Sequence, residues 1–99
     1  MTGTLARFRA AIATGGPPPA DPPLRALWLD AQGDWAGAHA CVDVRDDAPS
    51  MWVHAYLHRK EGDLDNARYW YARAGKPPQQ GSLDAEWADI AAALLATSA

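Results

Sequence analysis

Cysteine is nearly absent. Cys41 stands alone in 99 residues, which excludes an intramolecular disulfide framework and any zinc site built on cysteines. β-Branched residues are also scarce: Val, Ile and Thr together number nine against 22 Ala. Alanine is the best helix former and strands favour branched side chains, so this balance predicts an all-α fold. No apolar run nears the ~18–20 residues that a membrane-spanning helix needs. The opening stretch MTGTLARFRA lacks the apolar segment of a secretory signal. A cytoplasmic protein with no membrane partner is therefore expected. Positive charge is not in excess, with 9 Lys and Arg against 12 Asp and Glu. The clustered cations that nucleic-acid binding draws on are missing, and no nucleic-acid partner is expected.

What is present reads as one helical domain of ordinary globular composition, 48% hydrophobic and 21% charged. Leu5, Phe8 and Ile12 form the apolar stripe of a short helix over 4–14, with Thr2 or Thr4 as its cap and Gly15-Gly16 as its stop. The run GGPPPADPP makes residues 15–23 a stiff connector. Asp21 before Pro22-Pro23 signals the next helix start. That helix should carry Leu24, Leu27, Trp28 and Ala31 on one face and stop near Gly33. A helix from Asp34 should turn Trp35, Ala38 and Val42 inward, with Cys41 beside them. Asp47 caps a fourth helix that runs to Gly62, and Asp63 begins a fifth that ends at Gly75. After KPPQQG, Ser82 opens a helix over 82–97, with Leu83, Trp87, Ile90, Leu94 and Leu95 as its stripe. Asp84 and Glu86 sit in its first turn, where the helix dipole favours acid.

Residues 24–45 superpose on 53–74 at an offset of 29. Ala26 then falls on Ala55, Gly33-Asp34 on Gly62-Asp63, and Ala38 on Ala67. The matches sit at the tight turn of a helical hairpin and at the small residues where two helices touch, and recurrence at such a period marks stacked helix pairs. The second unit resembles a tetratricopeptide repeat: Gly62-Asp63 at the turn, then Ala67, Tyr71, Ala74 and Pro77 or Pro78 in the order that family uses. The units, at 29 residues, are shorter than the usual ~34. The resemblance implies two stacked antiparallel hairpins, 24–45 and 48–75, flanked by helices 4–14 and 82–97. It implies a non-enzymatic module with a concave face that holds a protein or peptide partner, lined from the first helix of each pair. Placed by offset from Gly62, the lining residues are Trp52, Tyr56, Arg59 and Lys60. Their counterparts in the first unit, Pro23, Leu27, Asp30 and Ala31, make no charged clamp.

A second reading starts from HAYLHRKE. His54, His58 and Glu61 lie at i, i+4 and i+7 and share one helix face. Two histidines one turn apart can hold a divalent metal, with Glu61 as a third ligand or a base, and Arg59 or Arg68 can hold an anion. The metalloprotease pattern is absent, because Ala55 stands where its glutamate belongs. The ordinary alternative is that both histidines pack between helices, bonded to a carbonyl or to Asp34 or Asp63. His39 would join them if the first hairpin brought it within reach; a solvent-facing His39 is the other reading. No cofactor is implied. Trp52, Tyr56, Tyr69, Trp70 and Tyr71 crowd one segment with Arg59, Arg68 and Arg73, the residue types that dominate contact hot spots. Consecutive residues 69–71 cannot all face one core, so an exposed aromatic is expected, and homodimerisation through it stays open.

Overall fold

The computed structural model describes residues 3–97. Six helices make up the fold, and no strand occurs among the described residues. They are α1 (Thr4–Ala13), α2 (Pro22–Ala31), α3 (Trp35–Val42), α4 (Ala48–Glu61), α5 (Leu64–Ala74) and α6 (Leu83–Thr97). None is long and apolar enough to cross a membrane.

The boundaries follow the chemistry of helix ends. The carboxylates of Asp21, Asp34, Asp47 and Asp63 each accept a hydrogen bond from a backbone N–H in the first turn of α2, α3, α4 and α5, a contact that satisfies one of the four donors a helix start leaves free. α1 differs, since Gly3 is its N-cap and makes no side-chain cap. Thr4 is its first helical residue, and Thr2 lies outside the described residues. The two superposed turns behave alike: Gly33 and Gly62 take φ of +83° and +91°. The amide of the aspartate that follows each reaches back to Leu29 O or His58 O at 2.9 and 3.0 Å. Only glycine adopts that left-handed geometry without strain. Gly62→Ala is expected to cost about 1 kcal/mol in urea unfolding without loss of helicity; an unchanged midpoint would contradict this.

α2 packs along α3 and α4 along α5, while α3 and α4 bring the two pairs together. Ala26, Ala38, Ala55 and Ala67 are all buried, so the small residues predicted at the helix contacts are there. α6 lies against both α2 and α4, and α1 lies on α6. The main core gathers Phe8, Leu27, Trp28, Val42, Val53, Leu57, Trp87, Ile90 and Leu94. In it Phe8 meets Trp28 edge-on and stacks on Trp87. Burying side chains of this size supplies roughly 1.5–3 kcal/mol each. Two indoles are also tied to the backbone of other helices: Trp35 Nε1 donates to Leu57 O at 2.8 Å and Trp87 Nε1 to Leu27 O at 3.0 Å. A smaller cluster of Ala55, Ala67 and Tyr71 holds α5 on α4, with Trp52 and Trp70 at its edge.

One inward position was misassigned. Ala31 is exposed, and its neighbour Asp30 is buried instead. The α4 side chains Tyr56 and Lys60 supply that buried carboxylate with hydrogen bonds, which offset the cost of its burial.

Candidate functional site

Three imidazoles converge where α3 meets α4. His54 and His58, one turn apart on α4, are 3% and 7% exposed. His39 comes from α3, and its side chain is 25% exposed. The His39 and His54 rings have centroids 4.7 Å apart, His54 and His58 4.7 Å, and His39 and His58 5.1 Å. His39 Nε2 and His54 Nε2 are 3.0 Å apart. Indoles flank the group: Trp35 stacks on His39, and Trp70 stacks on His54 at a 4.1 Å centroid distance.

The outer ring nitrogens set the tautomers. Nδ1 of His58 sits 2.6 Å from Glu61 Oε2. An ionised carboxylate only accepts hydrogen bonds, so Nδ1 carries a proton, and in the neutral ring Nε2 carries the lone pair. The Asn66 amide nitrogen lies 3.4 Å from that Nε2 and can donate to it. His39 Nδ1 lies 4.0 Å from Asp43 Oδ2, which favours the same tautomer there. His54 has no such support, because its buried Nδ1 lacks a hydrogen-bond partner among the described residues. Burial, with His58 and His39 alongside, lowers the His54 pKa to about 4, so this ring is neutral at pH 7. The acids expected to bond these histidines, Asp34 and Asp63, cap helices; Asp63 lies near His58, but Glu61 is the carboxylate bonded to the imidazole.

The residues predicted to line a concave face have mostly been used within the fold. α6 covers α2 and α4, the helices that carry them. Tyr56 is buried, and its hydroxyl donates to Asp30 at 2.6 Å; burial and that carboxylate hold the phenol far above its ordinary pKa. Lys60 Nζ donates to the other Asp30 oxygen at 2.8 Å. Arg59 donates to Glu86 at 2.9 Å and to Gly81 O. Trp52 is half-buried beneath the Lys76 ammonium, 4.3 Å from the ring centroid. Arg68 is exposed and pairs with Asp65. Glu86, assigned to the helix dipole, is 1% exposed and also accepts from the Tyr71 hydroxyl.

What remains open on that side is a cleft of about 310 Å³ between α1, α2, α4 and α6. Tyr56, Trp87, Ile12 and Ala31 line it, together with Lys60, Asp30, Arg9 and Asp84. Arg9 was not anticipated. It is exposed, lies over the Trp87 ring at 5.4 Å, and has no carboxylate partner among the described residues. Its spacing on α1 gave no cue, since the face it shares is completed by Trp87 from the far end of the chain. On α5, Tyr69 is the exposed aromatic that was expected at 69–71; Tyr71 is buried and Trp70 half-buried. The Arg73 guanidinium bridges the Tyr69 and Trp70 rings.

No protein-family model, curated protein or solved structure matches the chain.

Proposed function

We propose that this chain is a non-enzymatic binding module of the tetratricopeptide type, which takes the carboxylate end of a protein or peptide partner in the cleft between α1, α2, α4 and α6. The observation that carries the reading is Arg9: a guanidinium without a carboxylate partner, held over Trp87 at the same opening as the Lys60 ammonium. A planar guanidinium can accept a carboxylate through two parallel hydrogen bonds. Ile12, Ala31 and Trp87 offer apolar surface for the residues that precede it. Because α6 covers α2 and α4, the cleft accommodates a chain end rather than a long peptide or helix. Tyr56 and Lys60 are the two predicted lining residues that reach it. A reducing, cytoplasmic setting agrees with the single free thiol of Cys41.

The test is a set of tripeptides, each as free acid and as amide, titrated while the Trp87 indole and Arg9 side-chain NMR signals are followed. Free acids should move both signals. Amidation, or Arg9→Ala, should weaken binding roughly tenfold, the scale of one charge-assisted bond at an open site. Equal responses to acid and amide, or shifts confined to Tyr69 and Trp70, would overturn the reading.

A further inference from the structure

We propose that His39, His54 and His58 form a binding site for a single divalent transition-metal ion that joins α3 to α4. This site is separate from the cleft and does not depend on how the cleft is used. Three observations support it.

The first is geometric. One ring nitrogen from each histidine lies within 4.8 Å of one from each of the others. In a tetrahedral zinc site with Zn–N bonds near 2.0–2.1 Å, ligand nitrogens lie about 3.3–3.4 Å apart. The His39–His54 separation of 3.0 Å is already close to that value. Side-chain movements of up to about 1.5 Å would bring the third nitrogen to it.

The second is the proton arrangement. Glu61 holds a proton on His58 Nδ1, and Asp43 favours one on His39 Nδ1. Both rings are left with an Nε2 lone pair, which on His58 the ion would take over from the Asn66 amide 3.4 Å away. Carboxylates on the outer nitrogen are the usual partners of metal-bound imidazoles, because they fix the tautomer and raise ligand basicity. Glu61 therefore acts as a positioning residue for His58 rather than as a ligand.

The third is the contact between the Nε2 atoms of His39 and His54, which face each other at 3.0 Å. With the proton of His39 on Nδ1, the contact between the two Nε2 atoms requires His54 to donate from Nε2. Its buried Nδ1 then presents an unbonded lone pair, which costs free energy in an apolar setting. A cation at the centre would take the Nε2 lone pairs of both rings in place of that contact; His54 Nδ1 then carries the proton and still has no partner among the described residues. The Nε2 atoms of His39 and His54 then present lone pairs to the ion, and His58 supplies the third ring nitrogen. Neutral imidazoles without thiolates suit Zn²⁺, Co²⁺ or Ni²⁺ rather than Ca²⁺ or Mg²⁺. The partly exposed His39 marks the side from which the ion enters. Three protein ligands leave a fourth position for water or an exogenous donor.

The probe is Co²⁺ alone, added to the full chain at pH 7.5 and followed by its visible ligand-field bands, with displacement by Zn²⁺. One equivalent should saturate the signal with bands of tetrahedral intensity, and Ca²⁺ should not compete. His39→Gln, at the most accessible ligand, should weaken Co²⁺ binding by at least about 100-fold with the circular dichroism spectrum unchanged. Glu61→Gln should weaken it about 10–100-fold while keeping tetrahedral bands, the mark of a positioning residue. His58, Glu61 and Asp63 form a competing cluster, and Asp63→Asn, which retains a helix cap, separates the two. Absence of saturable binding, native affinity in His39→Gln, or loss of binding in Asp63→Asn would each overturn the proposal.

Discussion

Arg59→Ala will lower the unfolding free energy by about 3–5 kcal/mol, the range for removing one partner of a buried ion pair. The cost arises from what is left behind. Glu86 is 1% exposed, and its carboxylate accepts from Arg59 at 2.9 Å and from the Tyr71 hydroxyl. Without the guanidinium, one hydroxyl must support a charge that water cannot reach. Small domains are stable by only ~5–15 kcal/mol, so the variant should approach the edge of folding at 37 °C. The pair is not for that reason a large net gain over a neutral core. Two charges removed from water recover little more than their desolvation cost, and apolar replacements of similar volume are often neutral. Arg59→Met combined with Glu86→Leu, with Tyr71→Phe so that no buried hydroxyl loses its acceptor, should therefore recover most of the loss. Urea unfolding of Arg59→Met, Glu86→Leu and their combination, all in the Tyr71→Phe background, supplies the cycle. A loss below about 1 kcal/mol for Arg59→Ala would mean that the pair behaves as a solvated surface contact.

The second large effect is with acid, in metal-free protein with a chelator present. His54 has a folded pKa of about 4, against about 6.5 in an unfolded chain. Above pH 6.5 neither state carries the proton and the fold keeps its full stability. As the pH falls from 6.5 towards 4, the unfolded chain takes up a proton that the native ring refuses, so unfolding becomes easier by up to about 3 kcal/mol. The groups facing His54 are His58 on its own helix, His39 from α3 and Asp43 at the C-terminal end of α3, and the Trp70 ring from α5. The two histidines oppose its protonation and Asp43 favours it. His54→Phe preserves a ring against Trp70 and removes the titration. Plots of stability against pH for the native chain and this variant should diverge steadily below pH 6.5. Parallel plots would show that the ring protonates within the fold.

Much of the architecture was legible because it rests on local chemistry. Asp21, Asp34, Asp47 and Asp63 cap the helices they were expected to cap, since a carboxylate bonds to amides only three residues away. Glycines at 33 and 62 end helices by their own backbone freedom. The alanine matches located the helix contacts because only a small side chain allows close approach there. Glu86 and Asp30 were not legible. An acid in the first turn of α6 satisfies the dipole rule whether or not it is buried, and its true partner, Arg59, is 27 residues away. Asp30 finds Tyr56 and Lys60 at separations of 26 and 30. Of the histidine cluster, the i, i+4 pair on α4 could be read directly. The approach of His39 depends on how α3 crosses α4, which spacing along one helix does not encode. Arg9 escaped notice for the same reason.

The seating of α6 also bears on the order in which the molecule assembles. Each hairpin joins helices that are neighbours along the chain, so each can close early at small entropic cost. The Trp87 contact with Leu27 spans 60 residues, and closing so long a loop is worthwhile only when a surface already exists to receive it. Docking of α6 is therefore expected to follow closure of the hairpins, an order that Trp87→Phe in refolding kinetics would test. Until it occurs, Leu27, Tyr56 and the unpaired Arg59 are open to water and to other chains. The same helix that shortens the cleft occupies α2 and α4, so any chain that covered those two helices would compete with it.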